Sequence, residues 1–219
     1  MILAIYGAGG QGSIVFDVAT KQNNLEKCWD DIIFIDDWNN EGVAFGHKRL
    51  HLKRLLKEQS LEEISFNVAL GEPRDKQRVF KELINSGLTP ANVISPDVQI
   101  GSDVQLGNGL FLNTGAIIHP STTIGNNVTL MERSTVGHHC SVSDHCFITA
   151  GVIIGGNNQI GEGTFVGLHA ITREKTTVGS NAVIGMGAVV VKNVPDSSVV
   201  VGNPAIPLRS AADKPVFNH

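Results

Sequence analysis

The chain has 219 residues, of which 42% are hydrophobic and 17% charged, and its formal net charge is -4 at pH 7. This balance excludes a disordered chain, and it offers neither the basic footprint of a nucleic-acid binder nor a cationic membrane surface. Three cysteines without framework spacing, Cys28, Cys140 and Cys146, argue against a disulfide scaffold and for a reducing compartment. Met1 runs straight into the strand-like ILAIYG with no basic leader, and no stretch approaches the roughly 18 apolar residues of a membrane span, so a cytoplasmic protein is expected.

Residues 2–6 read as a buried strand. The glycine-rich turn Gly7-Ala8-Gly9-Gly10-Gln11-Gly12 follows, and a helix runs on through about Lys21, with Ile14, Val15 and Val18 apolar. A second strand, IIFIDD, carries Asp36 and Asp37 at its C-terminal end. A helix over 52–59, a strand over 64–70 and a helix over 74–86 come next. This βαβαβα order predicts a small parallel sheet, a Rossmann-like half-domain over 1–88. A glycine turn between strand and helix lets a diphosphate approach backbone N–H groups at a helix N-terminus, and the paired carboxylates stand where a ribose or base contact is expected. The unit lacks a second mononucleotide half, which favours a single nucleotide over a complete NAD site.

From Ile94 the chain repeats every six residues. Ile94, Ile100, Leu106, Leu112, Ile118, Ile124, Leu130, Val136, Val142, Ile148, Ile154, Ile160, Val166, Thr172, Val178, Ile184 and Val190 mark the period, and Thr172 alone among them is not aliphatic. Small residues such as Ala116, Ser134, Cys140, Cys146 and Ala170 sit four places after these positions. Each hexad is then one short strand and one corner, three hexads make a triangular coil, and stacked positions lie 18 residues apart. The repeat predicts an all-β domain over 89–208, followed by a C-terminal tail over 209–219. Cys140 and Cys146 fall at packing positions, and no His, Cys and Asp set keeps metal spacing in this geometry, so no metal is expected.

The hexads resemble the hexapeptide repeat of the left-handed parallel β-helix acyltransferases, and VIGMGAVVVKNVPDSSVVVGNPAIPLR resembles that family's closing segment. A narrower likeness runs along nearly the whole chain. YGAGGQGSIVFDVA, FIDD and VALGEPRDKQR ahead of the hexads are similar to the nucleotide-sugar acetyltransferases of the UDP-N-acetylbacillosamine N-acetyltransferase and sialic acid O-acetyltransferase group. The resemblance implies a homotrimer, acetyl-CoA as co-substrate, and an N-terminal domain that holds the nucleotide of the sugar. It implies N-acetylation of a nucleotide-linked amino sugar, of the UDP-4-amino-sugar kind, for surface glycans. O-acetylation of a sugar or transfer of another acyl group is the alternative, and a non-catalytic nucleotide-binding β-helix is a third reading.

Carried over residue by residue, the resemblance makes His138 in Val136-Gly137-His138-His139-Cys140 the general base. An amine or hydroxyl must lose a proton to attack a thioester, and a neutral imidazole takes one near pH 7. The family places an acid or Asn directly after this His, where this chain has His139. Glu132 and Asp144, one hexad to either side, are candidate replacements for orienting the ring, and His119 is the second candidate base. The acyl-CoA contacts map to Gly156, Leu168 and Met186, with a backbone N–H near Gly156 as oxyanion donor. Phe147 stands where the family has a cofactor-holding His. The nucleotide-sugar contacts map to Gly7, Gly9, Gly10, Gln11, Gly12, Asp36, Asp37 and Gly71. Gln11 replaces a usual His, and Lys76 replaces a usual Arg.

Overall fold

The computed structural model describes residues 1–58, 60–212 and 216. Of the tail expected over 209–219, residues 213–215 and 217–219 lie outside the described residues, as does residue 59 of the helix expected over 52–59. The N-terminal domain contains β1 (Ile2–Tyr6), α1 (Gly10–Glu26), β2 (Asp31–Ile35), β3 (Gly42–Ala44), β4 (His47–Leu50), α2 (Leu52–Glu58), β5 (Ile64–Val68), α3 (Pro73–Asn85) and β6 (Thr89–Pro90). Its sheet order is β3-β4-β2-β1-β5-β6, parallel except for the β3–β4 hairpin. β1, with residues 3–6 all buried, is central, which is why its C-terminal end carries the glycine turn. The β3–β4 hairpin was not expected: its strands are short, Val43 is exposed, and a charged β4 offers no alternating pattern.

The hexads fold as the predicted left-handed parallel β-helix. Two-residue strands from Val93–Ile94 to Val189–Val190 stack in three sheets, and partners among them lie 18 residues apart, as in Ile118 with Val136 and Ile148 with Val166. The second residue of each strand points inward, and these aliphatics with Ala116, Cys140, Cys146 and Ala170 form one continuous core. The one polar rung is repaired from within: buried Asn158 donates to Thr172 Oγ1 at 3.0 Å and to Arg173 O at 3.0 Å, and its Oδ1 accepts from Thr176 N at 2.7 Å. The thiols of Cys140 and Cys146 donate to Gly155 O and Gly161 O, each at 3.1 Å, and burial pushes the Cys146 thiol up to about 12, so both act as packing groups.

The corners divide their labour. The third corner residue is left-handed, as at Asn127, His139, His145, Asn157 and His169, with φ between 53° and 58° at four of them and 64° at His145. Asn, Asp and His tolerate this region better than most side chains, which helps to explain why histidines gather here. The first corner position holds glycine for another reason: a Cβ on Gly137 would stand 2.7 Å from Gly156 N of the next coil.

The first residue of each strand points outward and gives the three faces different chemistry. One face carries Val93, Phe111, Phe147, Phe165 and Val183, and the N-terminal domain packs on it through Leu3, Val15, Val18 and Phe34. The second carries Ile117, Thr135, Ile153, Ile171 and Val189, with Ile153 47% and Ile171 40% exposed. The third is polar throughout, with Gln105, Thr123, Ser141, Gln159 and Thr177.

Polar ties set the docking of the two domains. Gln22 Oε1 accepts from Ile94 N at 2.9 Å, and Asn67 Nδ2 donates to Leu110 O at 2.9 Å. Lys76, which is 1% exposed, reaches across from α3 to Asn127 O and Oδ1. The Asn127 amide then donates to His145 Nδ1 at 2.9 Å, while Phe80 meets the His145 ring edge-on. The two oxygens favour the ammonium but burial opposes it more strongly and pushes the Lys76 group down to about 7. Burial, then the neighbouring Lys76 charge, lowers His145 as well. Both groups therefore bind fewer protons folded than unfolded, so stability should rise with pH: below about 6.5 through His145, and from about 7 towards 10 through Lys76. The denaturation midpoint should climb between pH 7 and 9, and the climb should flatten in Lys76→Met. A wild-type midpoint that stays level or falls over this range would contradict the assignment.

Candidate active site

The glycine turn is shaped by close packing. Gly7 has φ +106°, and its N–H donates to Ile35 O at 2.8 Å; a Cβ on Gly12 would stand 2.1 Å from Gly7 O. A Cβ added at Gly9 or Gly10, by contrast, would meet nothing within 4 Å, so the start of α1 is open to a ligand. Gln11 leans towards the β-helix, its Nε2 3.5 Å from Met131 Sδ.

Asp36 and Asp37 have separate jobs. Asp36 is 2% exposed, and its oxygens accept from Trp38 N at 3.0 Å, Asn39 N at 3.1 Å, Asn39 Nδ2 at 2.9 Å and Ala8 N at 3.3 Å. Its carboxylate is thus turned inward, and it shapes the glycine turn through the backbone it holds instead of presenting its oxygens to a ligand. Asp37 accepts from Leu52 N at 2.8 Å at the start of α2 and from Tyr6 OH at 2.8 Å. Burial and this bond raise the Tyr6 hydroxyl far above its ordinary range, which keeps it a donor.

A cleft of about 630 Å³ opens where the glycine turn meets the β-helix. Gln11 and Gly71 line it from the N-terminal domain, and Phe147, Phe165, Leu168, Val183 and Met186 line it from the helix, with Glu132 and Thr149 among its few polar groups. Two of the expected acceptor contacts and three of the four expected cofactor positions therefore share one cleft. Phe147 is 5% exposed and stacks on Phe165 with centroids 5.8 Å apart, so a packed aromatic wall takes the place of a cofactor-holding imidazole.

His138 does not line this cleft. The cleft is built on the corner that follows the covered face, and His138 stands on the next corner, across the open aliphatic face. The His138 ring lies over Gly156, where a Cβ would stand 2.7 Å from its Nε2. His138 Nδ1 is 3.0 Å from His139 Nδ1, the rings being nearly perpendicular at 86°. The N–H of Gly156, adjacent to the ring, donates to none of the described residues. His119 is exposed on the same corner.

The acids proposed to orient His138 lie elsewhere within the chain. A step of six residues moves to another corner of the triangle, so Glu132 falls on the cleft corner and Asp144 on the third. Glu132 accepts from Asn113 Nδ2 at 3.1 Å, and Asp144 accepts from Asn126 N at 2.7 Å. His139 is the ring's partner within this chain. Among the described residues, no group of three or more His, Cys, Asp or Glu suits a metal ion, and no helix is long and apolar enough to cross a membrane.

Comparison with known proteins bears on this arrangement. Residues 2–83 match the PglD N-terminal domain, and residues 158–192 match the hexapeptide repeat of succinyl-transferase. The acetyltransferase domain of PglB from Neisseria gonorrhoeae, whose structure is also known in complex with acetyl coenzyme A, is 31% identical, with a TM-score of 0.87 over 94% of this chain and 99% of that one. The perosamine N-acetyltransferase from Caulobacter crescentus, solved with CoA and GDP-perosamine, shares the fold at a TM-score of 0.88 and 22% identity, covering 96% of this chain and 98% of that one. Galactoside O-acetyltransferase from Escherichia coli is 34% identical over 55 residues, 25% of this chain. A putative acetyltransferase from Schizosaccharomyces pombe is 37% identical over 60 residues, 27% of this chain. These curated matches span only 27% and 29% of the respective relatives. Two domains in the order of the PglB acetyltransferase domain, matched over nearly all of it, show that the chain belongs to the hexapeptide-repeat acetyltransferases that carry a PglD N-terminal domain.

Proposed function

We propose that the protein transfers the acetyl group of acetyl-CoA to the amino group of a nucleotide-linked sugar, with His138 as general base and with the reaction centre shared between copies of a trimer. One observation carries this reading: the glycine turn and the apolar corner at Leu168 and Met186 open into one cleft, while His138 stands across an aliphatic face on which Ile153 and Ile171 stay exposed among the described residues. In a closed ring of three copies, open faces turn towards the axis, and the cleft corner of one copy meets the His138 corner of the next. Glu132 then approaches the neighbour's His138 from the cleft corner. The sugar amine attacks the thioester carbonyl, His138 takes the proton, the Gly156 N–H supports the oxyanion, and the CoA thiolate leaves. The acetyl-CoA complex of the PglB domain supports the choice of donor.

The nucleotide is assigned to the glycine turn. Gly10 begins α1 and has open space at its Cβ position, so Gly10→Glu should fold, an acid in the first turn being favourable to a helix. It should also repel a diphosphate. The acceptor KM should rise by about tenfold or more and the acetyl-CoA KM should hold, since one charge is placed against another at short range. A rise confined to the acetyl-CoA KM would reverse the assignment.

A screen of UDP-, GDP- and dTDP-linked amino sugars with acetyl-CoA, read by free thiol release, tests the activity; no release with any of them contradicts it. Sugar O-acetylation is the second reading, favoured by the galactoside O-acetyltransferase match. An ester product is cleaved by mild alkali, whereas the amide expected here survives it.

A further inference from the structure

The two tryptophans have opposite settings. Trp29 is 8% exposed, and its Nε1–H donates to Ser65 Oγ at 3.2 Å. Trp38 is 59% exposed, yet it is held in place. Its ring meets Tyr6 edge-on with centroids 5.8 Å apart at 88°, and Tyr6 is itself fixed by its bond to Asp37. The backbone beneath is clamped by the buried Asp36 carboxylate, which accepts from Trp38 N and Asn39 N on one side and from Ala8 N of the glycine turn on the other. One buried group therefore fixes the position of Trp38 relative to the turn. A large aromatic left in water, with its backbone clamped and one side of its ring braced by Tyr6, is what a stacking surface requires, because part of its side-chain freedom is already spent before a ring lands on it.

Its place along the sheet gives the surface a partner. Trp38 stands just past the C-terminal end of β2, the strand beside β1, and β1 leads into the glycine turn. A ligand with phosphates on that turn extends its nucleoside across the end of β2. At the other end of the turn Gln11 faces the apolar cleft. The turn thus has a nucleoside end at Trp38 and a sugar end at Gln11.

We infer that Trp38 is the stacking platform for the base of the nucleotide-sugar acceptor. The inference rests on the acceptor reading above and deepens it. Stacking uses the π-face that every base has, so this contact supplies affinity with little choice among bases. Discrimination between uracil, guanine and thymine then falls to groups at the base edge.

The contrast between the two tryptophans makes a direct test. Titrating the full-length protein with UDP, and separately with GDP, should quench the long-wavelength emission of exposed Trp38, while inorganic pyrophosphate, which has no base, should not. By calorimetry, Trp38→Ala should weaken UDP by about tenfold or more, Trp38→Phe should recover most of that loss, and the acetyl-CoA KM should stay at the wild-type value in both. UDP binding that is equally tight in wild type and Trp38→Ala, or that leaves Trp38 emission unchanged, overturns the platform and leaves the acceptor reading standing. Failure of both nucleotides to bind the wild-type protein overturns the acceptor reading and the platform together.

Discussion

Replacing His138 with alanine should lower kcat by about a hundredfold or more and leave both KM values near wild type, because transfer of the amine's proton is realised mainly in the transition state. The contact between the two histidines makes the expectation sharper. Of two neutral imidazoles whose Nδ1 atoms are 3.0 Å apart, one donates and the other accepts. If His138 Nδ1–H donates to His139, the Nε2 lone pair of His138 is free to take a proton, and it is this edge that lies over Gly156. If His139 donates instead, the proton of His138 sits on Nε2 and the ring cannot act as a base there. His139 holds the productive tautomer of His138 when it accepts from Nδ1–H, but unlike a carboxylate it can also donate, and it lends no negative charge to the imidazolium. Its loss in His139→Ala should cost about tenfold in kcat, less than the loss of the base itself. A nearly silent His139→Ala with a costly Glu132→Gln would place the orienting group on the neighbouring copy. Wild-type turnover in His138→Ala would leave positioning to account for the rate and would remove His138 as the base.

The second large effect should come from the open face. Ile153 and Ile171 are stacked directly on each other and point outward, so Ile153→Asp with Ile171→Asp leaves the inner core of the β-helix untouched. In an assembled trimer each isoleucine contributes about 1.5–3 kcal/mol of apolar burial, and an unpaired carboxylate in its place costs more than that contribution. The doubly substituted protein should sediment as a monomer with wild-type far-ultraviolet circular dichroism, and turnover should fall by about a hundredfold, since the cleft and His138 of one chain are separated by this face. A monomeric wild-type protein at micromolar concentration, or a monomeric variant with full turnover, would remove the need for a second copy.

What could be read from the sequence depended on which periodicity was followed. The inward aliphatics from Ile94 to Val190 fix the coil, because a period of six with three faces forces partners 18 residues apart, as Ile118 and Val136 show. The outward residue one place earlier carries equal information. Phe111, Phe147 and Phe165 mark the covered face, Ile153 and Ile171 the open one, and Gln105, Thr123 and Gln159 the polar one. Read in steps of 18, that register would have revealed the docking face and the exposed aliphatic stripe. Linear proximity does not bring Glu132 or Asp144 to His138 within one chain, because a step of six residues moves each to another corner. The glycine turn was legible, whereas the inward orientation of Asp36 was not, since it depends on Ala8, Trp38 and Asn39 meeting one carboxylate. The buried Lys76–Asn127–His145 chain was invisible for the same reason: its members are joined only when α3 docks on the β-helix.

If the cleft of one chain works with His138 of the next, mixed trimers should show it. His138→Ala and Gly10→Glu each disable one half of the centre. The two variants, carrying different tags, are co-expressed and purified through both tags in turn. In a shared centre, a His138→Ala chain supplies an intact cleft to the intact His138 of a Gly10→Glu neighbour, so mixed trimers should recover about a quarter or more of wild-type turnover at limiting acceptor. If each centre lies within a single chain, every chain in the mixture carries a damaged centre, and turnover no higher than the average of the two parent variants would contradict the account.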